Sequence, residues 1–160
     1  MSTVHPIPPI YNENSKILIL GSFPSVASRE TGFFYGHKQN RFWRIVAHLL
    51  NCSIPETVCE KQILLTSSGI ALWDVISSCD IIGSSDSTIK NVIPNDISPI
   101  LNCGINTVFT NGKTASALYN KYIYPKTNIH DICLPSTSPA NATYSFDRLT
   151  AEWKQIIKHL

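Results

Sequence analysis

A chain of 160 residues with 43% hydrophobic and 15% charged residues has the composition of one ordinary globular domain. The formal net charge of +2 does not by itself indicate a nucleic-acid-binding protein, and no apolar run is long enough to span a membrane. The five cysteines include no Cys-x-x-Cys pair, which excludes the usual spacings of zinc sites and iron–sulfur clusters. We therefore expect one cytoplasmic, monomeric domain over residues 1–160, without membrane contact, metal or organic cofactor.

The first third of the chain begins with a proline-containing segment, residues 1–15, that is expected to be an extended lead-in. The apolar run 16–20 predicts a buried parallel strand, because it scarcely alternates with polar residues. Residues 22–39 show no clean period and predict a long loop, which in a compact domain is usually functional. Residues 42–50 have helical spacing, and Asn40 is a suitable N-cap for that helix.

The rest of the chain alternates between helical and strand-like patterns. We expect helices at 57–66, 112–122 and 145–160, strands at 70–75, 106–110 and 127–133, and a polar loop at 77–95. Alternating strands and helices are typical of a parallel sheet with helices on both faces. The sequence therefore predicts an α/β fold with three α/β/α layers around a central, mostly parallel four-stranded sheet.

Two loops that directly follow strand-like runs are the most informative features. Residues 21–25 follow the first strand, and residues 134–139 follow the last. In an open α/β sheet, loops at the carboxyl ends of strands line the ligand crevice, so we expect the two loops to form one site. Glycine permits a close approach of the backbone, and serine hydroxyls and amides suit phosphate groups. An ordinary strand-exit turn explains the first loop equally well.

A longer motif is more specific. Residues 31–43 read Thr-Gly-Phe-Phe-Tyr-Gly-His-Lys-Gln-Asn-Arg-Phe-Trp. This run resembles a segment that mismatch-specific uracil-DNA glycosylases carry after their first strand. Taken with residues 21–25, 69–75 and 135–142, it is similar in particular to the hypoxanthine-DNA glycosylase (DNA-deoxyinosine glycosylase) branch of the uracil-DNA glycosylase superfamily. The resemblance covers residues 16–158, with four motifs in the same order.

This resemblance implies a uracil-DNA glycosylase-like fold and a monofunctional DNA glycosylase whose partner is damaged DNA. Such an enzyme flips a deaminated base, here hypoxanthine, out of the duplex and hydrolyses its N-glycosidic bond to leave an abasic site for base excision repair. The chemistry needs a pocket, a stacking aromatic side chain and groups that hold phosphates. Because the transition state carries an oxocarbenium-like sugar, positioning and electrostatics can replace a strong base.

The residue that positions the attacking water is Asn40 by the same resemblance. Other superfamily members carry an Asp or Asn in the first motif for the water and a His in the second for the leaving base. Phe23 and Leu134 stand at those two places here. The hypoxanthine branch shares both losses, which implies that the Asn40 carbonyl orients the water. A plain N-cap role is the alternative for Asn40, and the two roles are compatible.

The base pocket is expected to hold Gly21, Ser22 and Phe23 beside an aromatic ring. The resemblance implies that Tyr35 stacks on the flipped base, an interaction worth roughly 1–3 kcal/mol. Asn111 is expected to read the base edge, because a neutral amide both donates and accepts hydrogen bonds. Core packing for Tyr35 and a helix-start turn for Asn111 are the alternatives.

Contacts with DNA are expected from two segments of the chain. The residues are Ser25, His37, Arg41, Ser136, Thr137, Ser138 and Asn141. The 136–142 loop is also expected to fill the gap left by the flipped base. A structural histidine, a solvated basic face and a surface turn are the alternatives for His37, Arg41 and Asn141. Asp74, at a strand end, is expected to cap the next turn, with a functional role as the alternative.

Three other functions compete with excision of hypoxanthine. A uracil or mismatch-specific glycosylase would share the superfamily's fold but act on a different base. A catalytically silent lesion-binding module would explain the lost Asp and His of the two motifs. A nucleotide-binding enzyme is disfavoured, because the chain has neither Gly-x-Gly-x-x-Gly nor a P-loop sequence.

Overall fold

The computed structural model describes residues 2–160, which form two β-sheets and a set of short helices. The strands are β1 (Thr3–Val4), β2 (Ile17–Gly21), β3 (Ile70–Asp74), β4 (Ile76–Asp80), β5 (Lys90–Pro94), β6 (Thr107–Asn111) and β7 (Asp131–Leu134). The α-helices are α1 (Val26–Thr31), α2 (Phe42–Leu49), α3 (Val58–Ser68), α4 (Ser98–Leu101), α5 (Lys113–Tyr122), α6 (Tyr124–Thr127) and α7 (Phe146–Trp153). Residues Asp86–Thr88 and Lys154–His159 form 3-10 segments.

A four-stranded parallel sheet of order β3-β2-β6-β7 lies at the centre. β2 is buried along its whole length, in agreement with its unbroken apolar sequence. The chain passes from β2 to β3 on one side, whereas β6 lies on the other side of β2. This reversal opens a crevice at the carboxyl ends of β2 and β6, where Gly21 and Asn111 lie. The expected α/β fold with a four-stranded parallel sheet is confirmed.

The helices cover both faces of this sheet. Successive side chains of a strand point to opposite faces, and β2 accordingly contributes to two separate cores. Ile17 and Ile19 pack into the core that contains Trp153 of α7. Leu18 and Leu20 pack into the core on the other face, which contains residues of α4 and α5. The sheet therefore lies between two helical layers.

A second, antiparallel sheet of order β1-β4-β5 corrects the expectation that residues 77–95 form a loop. Most of β4, a 3-10 segment and β5 occupy that range. β5 is largely exposed, and register shifts interrupt its pairing with β4. A strand without one consistently buried face shows little two-residue periodicity, which is why the sequence pattern missed it. The lead-in is extended, and its strand β1 pairs with β4.

The loop expected over residues 22–39 contains a short helix, α1. Ser25 is its N-cap and accepts a hydrogen bond from the backbone amide of Ser28 (3.1 Å). The start of α2 also differs slightly from the expectation, because Arg41 occupies the cap position and Asn40 precedes it. Ser25 is therefore the N-cap of α1, and Asn40 lies one residue before the cap position of α2.

Two boundaries near the carboxyl end differ from the sequence pattern. The last strand begins at Asp131, because α6 occupies Tyr124–Thr127 and ends at a left-handed Asn128 with φ 56°. The final helix is α-helical only to Trp153 and then tightens into a 3-10 segment. Over residues 2–160, every helix is too short or too polar to cross a bilayer.

Candidate active site

A cavity of about 380 Å³ opens at the carboxyl edge of the parallel sheet. The residues predicted from the sequence line it, with the exception of Arg41 and Asn141: they are Gly21, Ser22, Phe23, Ser25, Tyr35, His37, Asn40, Asn111, Ser136, Thr137 and Ser138. The lining also includes two carboxylates, Asp74 and Asp86. Within residues 2–160, no group of three or more His, Cys, Asp or Glu side chains lies close enough together to hold a metal ion.

Three side chains from separate segments form a hydrogen-bond chain across this cavity. Asn111 Nδ2 donates to Thr137 Oγ1 (3.0 Å), and Asn111 Oδ1 accepts from the Thr137 backbone amide (3.0 Å). The Thr137 hydroxyl in turn donates to Asn40 Oδ1 (2.9 Å). Thr137 is fully buried, so these bonds are shielded from water. The Thr137 hydroxyl, which we expected to contact DNA, is thus committed to two amides.

The carbonyl oxygen of Asn40 has both lone pairs in use. It accepts from the backbone amide of Phe42 (2.9 Å) and from the Thr137 hydroxyl (2.9 Å). The opposite orientation of the amide would set Nδ2 against the Phe42 N–H, so the hydrogen-bond pattern identifies the two atoms. Asn40 Nδ2 makes no hydrogen bond to residues 2–160 and is the polar atom that this residue leaves available to the cavity.

Tyr35 forms part of the cavity wall. Its ring stacks on Phe42, with centroids 4.2 Å apart and an interplanar angle of 24°. Its hydroxyl is buried and has no hydrogen-bond partner within residues 2–160. Burial raises the pKa of Tyr35 well above its ordinary value, the charge of Asp74 adds to the rise, and the Asn111 amide opposes it. The phenol therefore keeps its proton.

Gly21 allows a carboxylate to lie directly over the end of β2. A Cβ at this position would be 2.4 Å from Asp74 Oδ1, which is closer than packing permits, and 3.1 Å from the Tyr35 hydroxyl, which is tighter than most Cβ contacts. Asp74 pairs with Gly21 in the sheet register and is only 3% exposed. We expected Asp74 to cap a turn, which is wrong: its carboxylate lines the cavity.

His5 holds the Asp74 carboxylate from behind. His5 Nε2 lies 2.7 Å from Asp74 Oδ2, and His5 Nδ1 accepts a hydrogen bond from the Ile7 backbone amide (3.1 Å). Because Nδ1 is an acceptor, the single ring proton is on Nε2 and is donated to Asp74. Sequence reasoning missed His5, which lies in the proline-containing lead-in and shows no local signal. The sequence did allow a functional role for Asp74, because that residue ends a strand, and the structure places the strand next to β2.

One rim of the cavity is formed by the loop between β4 and β5. Ser22 Oγ donates to Asp86 Oδ1 (3.3 Å), and the Val26 amide donates to Ser84 Oγ (2.8 Å). Arg29 donates to the carbonyl of Gly83 (2.6 Å). Burial raises the pKa of Asp86, the Ser22 hydroxyl opposes the rise, and Asp74 adds to it.

The opposite rim is the 136–144 loop, which Arg41 pins to α2. The Arg41 guanidinium donates to the carbonyls of Ser138 (3.0 Å) and Asn141 (3.1 Å), and also to that of Tyr144. Burial lowers the pKa of Arg41, and the nearby charge of Arg44 lowers it further. Arg41 therefore donates its hydrogen bonds to the loop, although we expected this side chain to contact DNA directly.

A second cavity of about 590 Å³ adjoins the first across this loop. Ser136, Ser138 and Asp86 line both cavities, whereas Asn141 and Lys113 line the second one. Asn141 Nδ2 donates to the Ser136 carbonyl (3.0 Å), which fixes the loop between the two spaces. His37 is exposed at the first cavity, and its Nδ1 accepts from the Gln39 amide (3.1 Å). The two cavities thus lie side by side and share part of their lining, and we call the pair the groove.

Comparison with known proteins gives consistent matches. The family model described as the uracil DNA glycosylase superfamily matches residues 8–160. A protein of Methanosarcina acetivorans named hypoxanthine DNA glycosylase is 32% identical over 155 residues, which cover 95% of this chain and 96% of that protein. A protein of the same name from Methanosarcina barkeri is 33% identical over 109 residues, or 66% of this chain and 69% of that protein.

The fold also matches a solved structure. A solution NMR structure of a candidate uracil DNA glycosylase from Methanosarcina acetivorans superposes with a TM-score of 0.83 at 31% identity. The superposition covers 99% of this chain and 98% of that one.

Proposed function

The chain belongs to the uracil DNA glycosylase superfamily. We propose that it is a monofunctional DNA glycosylase that removes hypoxanthine from DNA. The observation that carries the choice of base is the similarity, over 95% of the chain, to a protein named hypoxanthine DNA glycosylase. The geometry of the cavity supports the same reaction, because it combines an aromatic wall, amide groups and a carboxylate in a space of about 380 Å³.

In the proposed reaction, the flipped base enters the cavity and its sugar stays at the rim. Tyr35 stacks on the base with the face of its ring that Phe42 does not cover. The C1′–N9 bond breaks, and its electron pair leaves with the base, which then takes up a proton. Water forms the new bond to C1′ and loses a proton, so the products are free hypoxanthine and an abasic site.

Asn40 positions this water. Asn40 Oδ1 already accepts two hydrogen bonds. The Nδ2 amide group is therefore the part of Asn40 that donates a hydrogen bond to the water oxygen. A water that accepts from Nδ2 keeps a lone pair that can point at C1′. An amide cannot remove the water's proton early, which suits a transition state in which the sugar already carries positive charge. This differs from the expectation from sequence, in which the carbonyl oxygen of Asn40 orients the water as an acceptor.

The two rims hold the DNA strand on either side of the flipped nucleotide. Hydroxyls and backbone amides at Ser22, Ser136 and Ser138 lie along the groove and suit phosphate oxygens. Arg41 contributes by fixing the loop that carries the last two of these residues. Because these donors are neutral, they position phosphates without the release of counterions that Lys and Arg cause, so we expect them to add little to the salt dependence of the affinity.

Strand cleavage after alkali treatment tests the proposal. Labelled duplexes carry one deoxyinosine, deoxyuridine, deoxyxanthosine or an undamaged base, and the wild type is compared with Asn40→Ala. We expect cleavage at deoxyinosine that falls by orders of magnitude in the variant, while DNA binding measured by fluorescence anisotropy survives. Cleavage mainly at deoxyuridine would refute the choice of base and favour the mismatch-specific alternative. Binding without cleavage at any base would favour a silent lesion-binding module.

A further inference from the structure

We propose that Asp74 is the residue that distinguishes hypoxanthine from adenine, and that His5 is the positioning residue that holds the Asp74 carboxylate in the orientation that presents one oxygen to the base. Asp74 Oδ1 accepts the N1–H that hypoxanthine has and adenine lacks. This inference rests on the proposed function, because it names the group in the same cavity that recognises the base.

Asp74 lines the cavity although the residue is only 3% exposed, so its carboxylate forms part of the cavity floor. Asp74 ends β3 and lies beside Gly21, the last residue of β2. A base that enters with its glycosidic bond at the rim presents its far edge to this floor, and in a purine that edge carries position N1. The missing side chain of Gly21 leaves room for Oδ1, which lies 2.4 Å from where a Cβ would be. The carboxylate therefore meets the base edge rather than the sugar.

A buried histidine holds the Asp74 carboxylate in one orientation. His5 Nε2 donates to Asp74 Oδ2 (2.7 Å), and the His5 ring is itself fixed by the Ile7 amide at Nδ1. Edge-to-face contacts with Phe23 and Trp73, at 5.8 and 6.3 Å between centroids, hold the ring on two sides. The His5 side chain is only 3% exposed. One oxygen of Asp74 is thus reserved for His5, and Oδ1 remains for a ligand.

The chain segment that carries His5 is itself anchored to the neighbouring strands. Its backbone amide donates to the Ser77 carbonyl (2.8 Å), which extends the pairing of β1 with β4. Two residues later, the Ile7 carbonyl accepts from Trp73 Nε1 (3.1 Å). The lead-in is therefore anchored on both sides of His5, directly behind the end of β3. This anchoring provides the rigidity that positioning a carboxylate requires.

Hypoxanthine and adenine differ in the hydrogen-bonding character of N1. Hypoxanthine carries a hydrogen on N1, which a carboxylate oxygen accepts. Adenine carries a lone pair on N1. When this lone pair faces the carboxylate, two acceptors repel each other and neither receives a hydrogen bond. Hypoxanthine arises from adenine by deamination, so this contact separates the damaged base from its parent. Guanine also carries N1–H, so Asp74 accounts for rejection of adenine only.

The isosteric substitution Asp74→Asn replaces the acceptor that faces the cavity with a hydrogen-bond donor. Because the His5 Nε2–H needs an acceptor, the new amide turns its oxygen to His5 and its Nδ2 donor to the cavity. That donor opposes the N1–H of hypoxanthine. We expect the single-turnover rate on deoxyinosine duplexes to fall by about 100-fold, the loss of one charge-assisted hydrogen bond.

The double variant His5→Phe/Asp74→Asn tests positioning rather than structure. Phenylalanine keeps a ring beside Phe23 and Trp73 but removes the donor, so the amide introduced at position 74 can rotate and offer its oxygen to N1–H. We expect the double variant to be about 10-fold faster on deoxyinosine than Asp74→Asn alone. Urea unfolding of each variant serves as the control for folding.

The outcomes distinguish a failure of the proposed function from a failure of the roles of Asp74 and His5. A wild-type protein that leaves deoxyinosine intact refutes the proposed function and the recognition of hypoxanthine with it. A wild-type protein that excises hypoxanthine while Asp74→Asn does so equally fast refutes only the role of Asp74. A folded double variant that is no faster than Asp74→Asn refutes the positioning role of His5.

Discussion

Removal of the Thr137 hydroxyl is the most informative single perturbation of the site. Thr137→Val keeps the shape and the backbone hydrogen bond to Asn111 Oδ1 but deletes the atom that joins Asn111 to Asn40. Asn40 then loses one of its two anchors, and Asn111 Nδ2 loses its acceptor. The variant therefore tests whether the amide chain, and not packing alone, organises the site.

The magnitude follows from the bonds that are lost. Two hydrogen bonds contribute about 1 kcal/mol each, and an unsatisfied Asn111 amide in a buried setting costs about 1–2 kcal/mol more. The additional buried methyl group returns about 0.8 kcal/mol. The free energy of unfolding should therefore fall by about 2–3 kcal/mol. Looser positioning of Asn40 should lower the single-turnover rate by roughly 10–100-fold.

Equilibrium unfolding in urea measures the first quantity, and quenched excision of deoxyinosine measures the second. Thr137→Ser is the matched control, since it keeps the hydroxyl and loses only the methyl group. We expect this control to retain a rate close to that of the wild type. If Thr137→Val excises the base as fast as Thr137→Ser, the amide chain does not organise catalysis and this reasoning is refuted.

Other substitutions probe the remaining walls of the cavity. Gly21→Ala should abolish excision, because its Cβ would lie 2.4 Å from Asp74 Oδ1; a wild-type single-turnover rate would contradict the close approach. Tyr35→Ala should slow excision by roughly 10–100-fold and Tyr35→Phe far less, because the ring contributes about 1–3 kcal/mol of stacking; equal rates for the two variants would argue against stacking. Since burial raises the pKa of Tyr35, the rate should not fall through loss of its proton near about pH 10, where an exposed tyrosine titrates; pH profiles that diverge between wild type and Tyr35→Phe would contradict this. Arg41→Lys should accelerate amide hydrogen exchange across residues 138–144, because an ammonium group cannot reproduce the guanidinium's bonds to three carbonyls; unchanged exchange by mass spectrometry would count against that role.

The parts of the fold that the sequence predicted share a strong local signal. β2 is an unbroken apolar run buried on both faces, and α2 has helical spacing. The rule that strand-end loops share a crevice brought residues 21–25 and 134–139 together, and the structure shows that Thr137 links Asn111, which the sequence also predicted, to the second loop. The roles assigned to individual residues on the basis of resemblance stay predictions until they are measured.

The parts that sequence reasoning missed depend on contacts between distant segments. His5 and Asp74 are 69 residues apart, and neither lies in a pattern that points to the other. Arg41 meets the carbonyl of Tyr144 across 103 residues. β5 pairs at an exposed edge, where side chains need no periodicity. Such features arise only when the sheet brings the ends of its strands together.

The central claim is that this protein hydrolyses the glycosidic bond of deoxyinosine. The most direct measurement is quantification of free base by mass spectrometry, together with abasic sites in the same duplex before any alkali treatment. We predict one molecule of free hypoxanthine for each abasic site, with the DNA backbone uncut. Deoxyinosine that remains intact, or a strand cut without release of free base, would contradict the account.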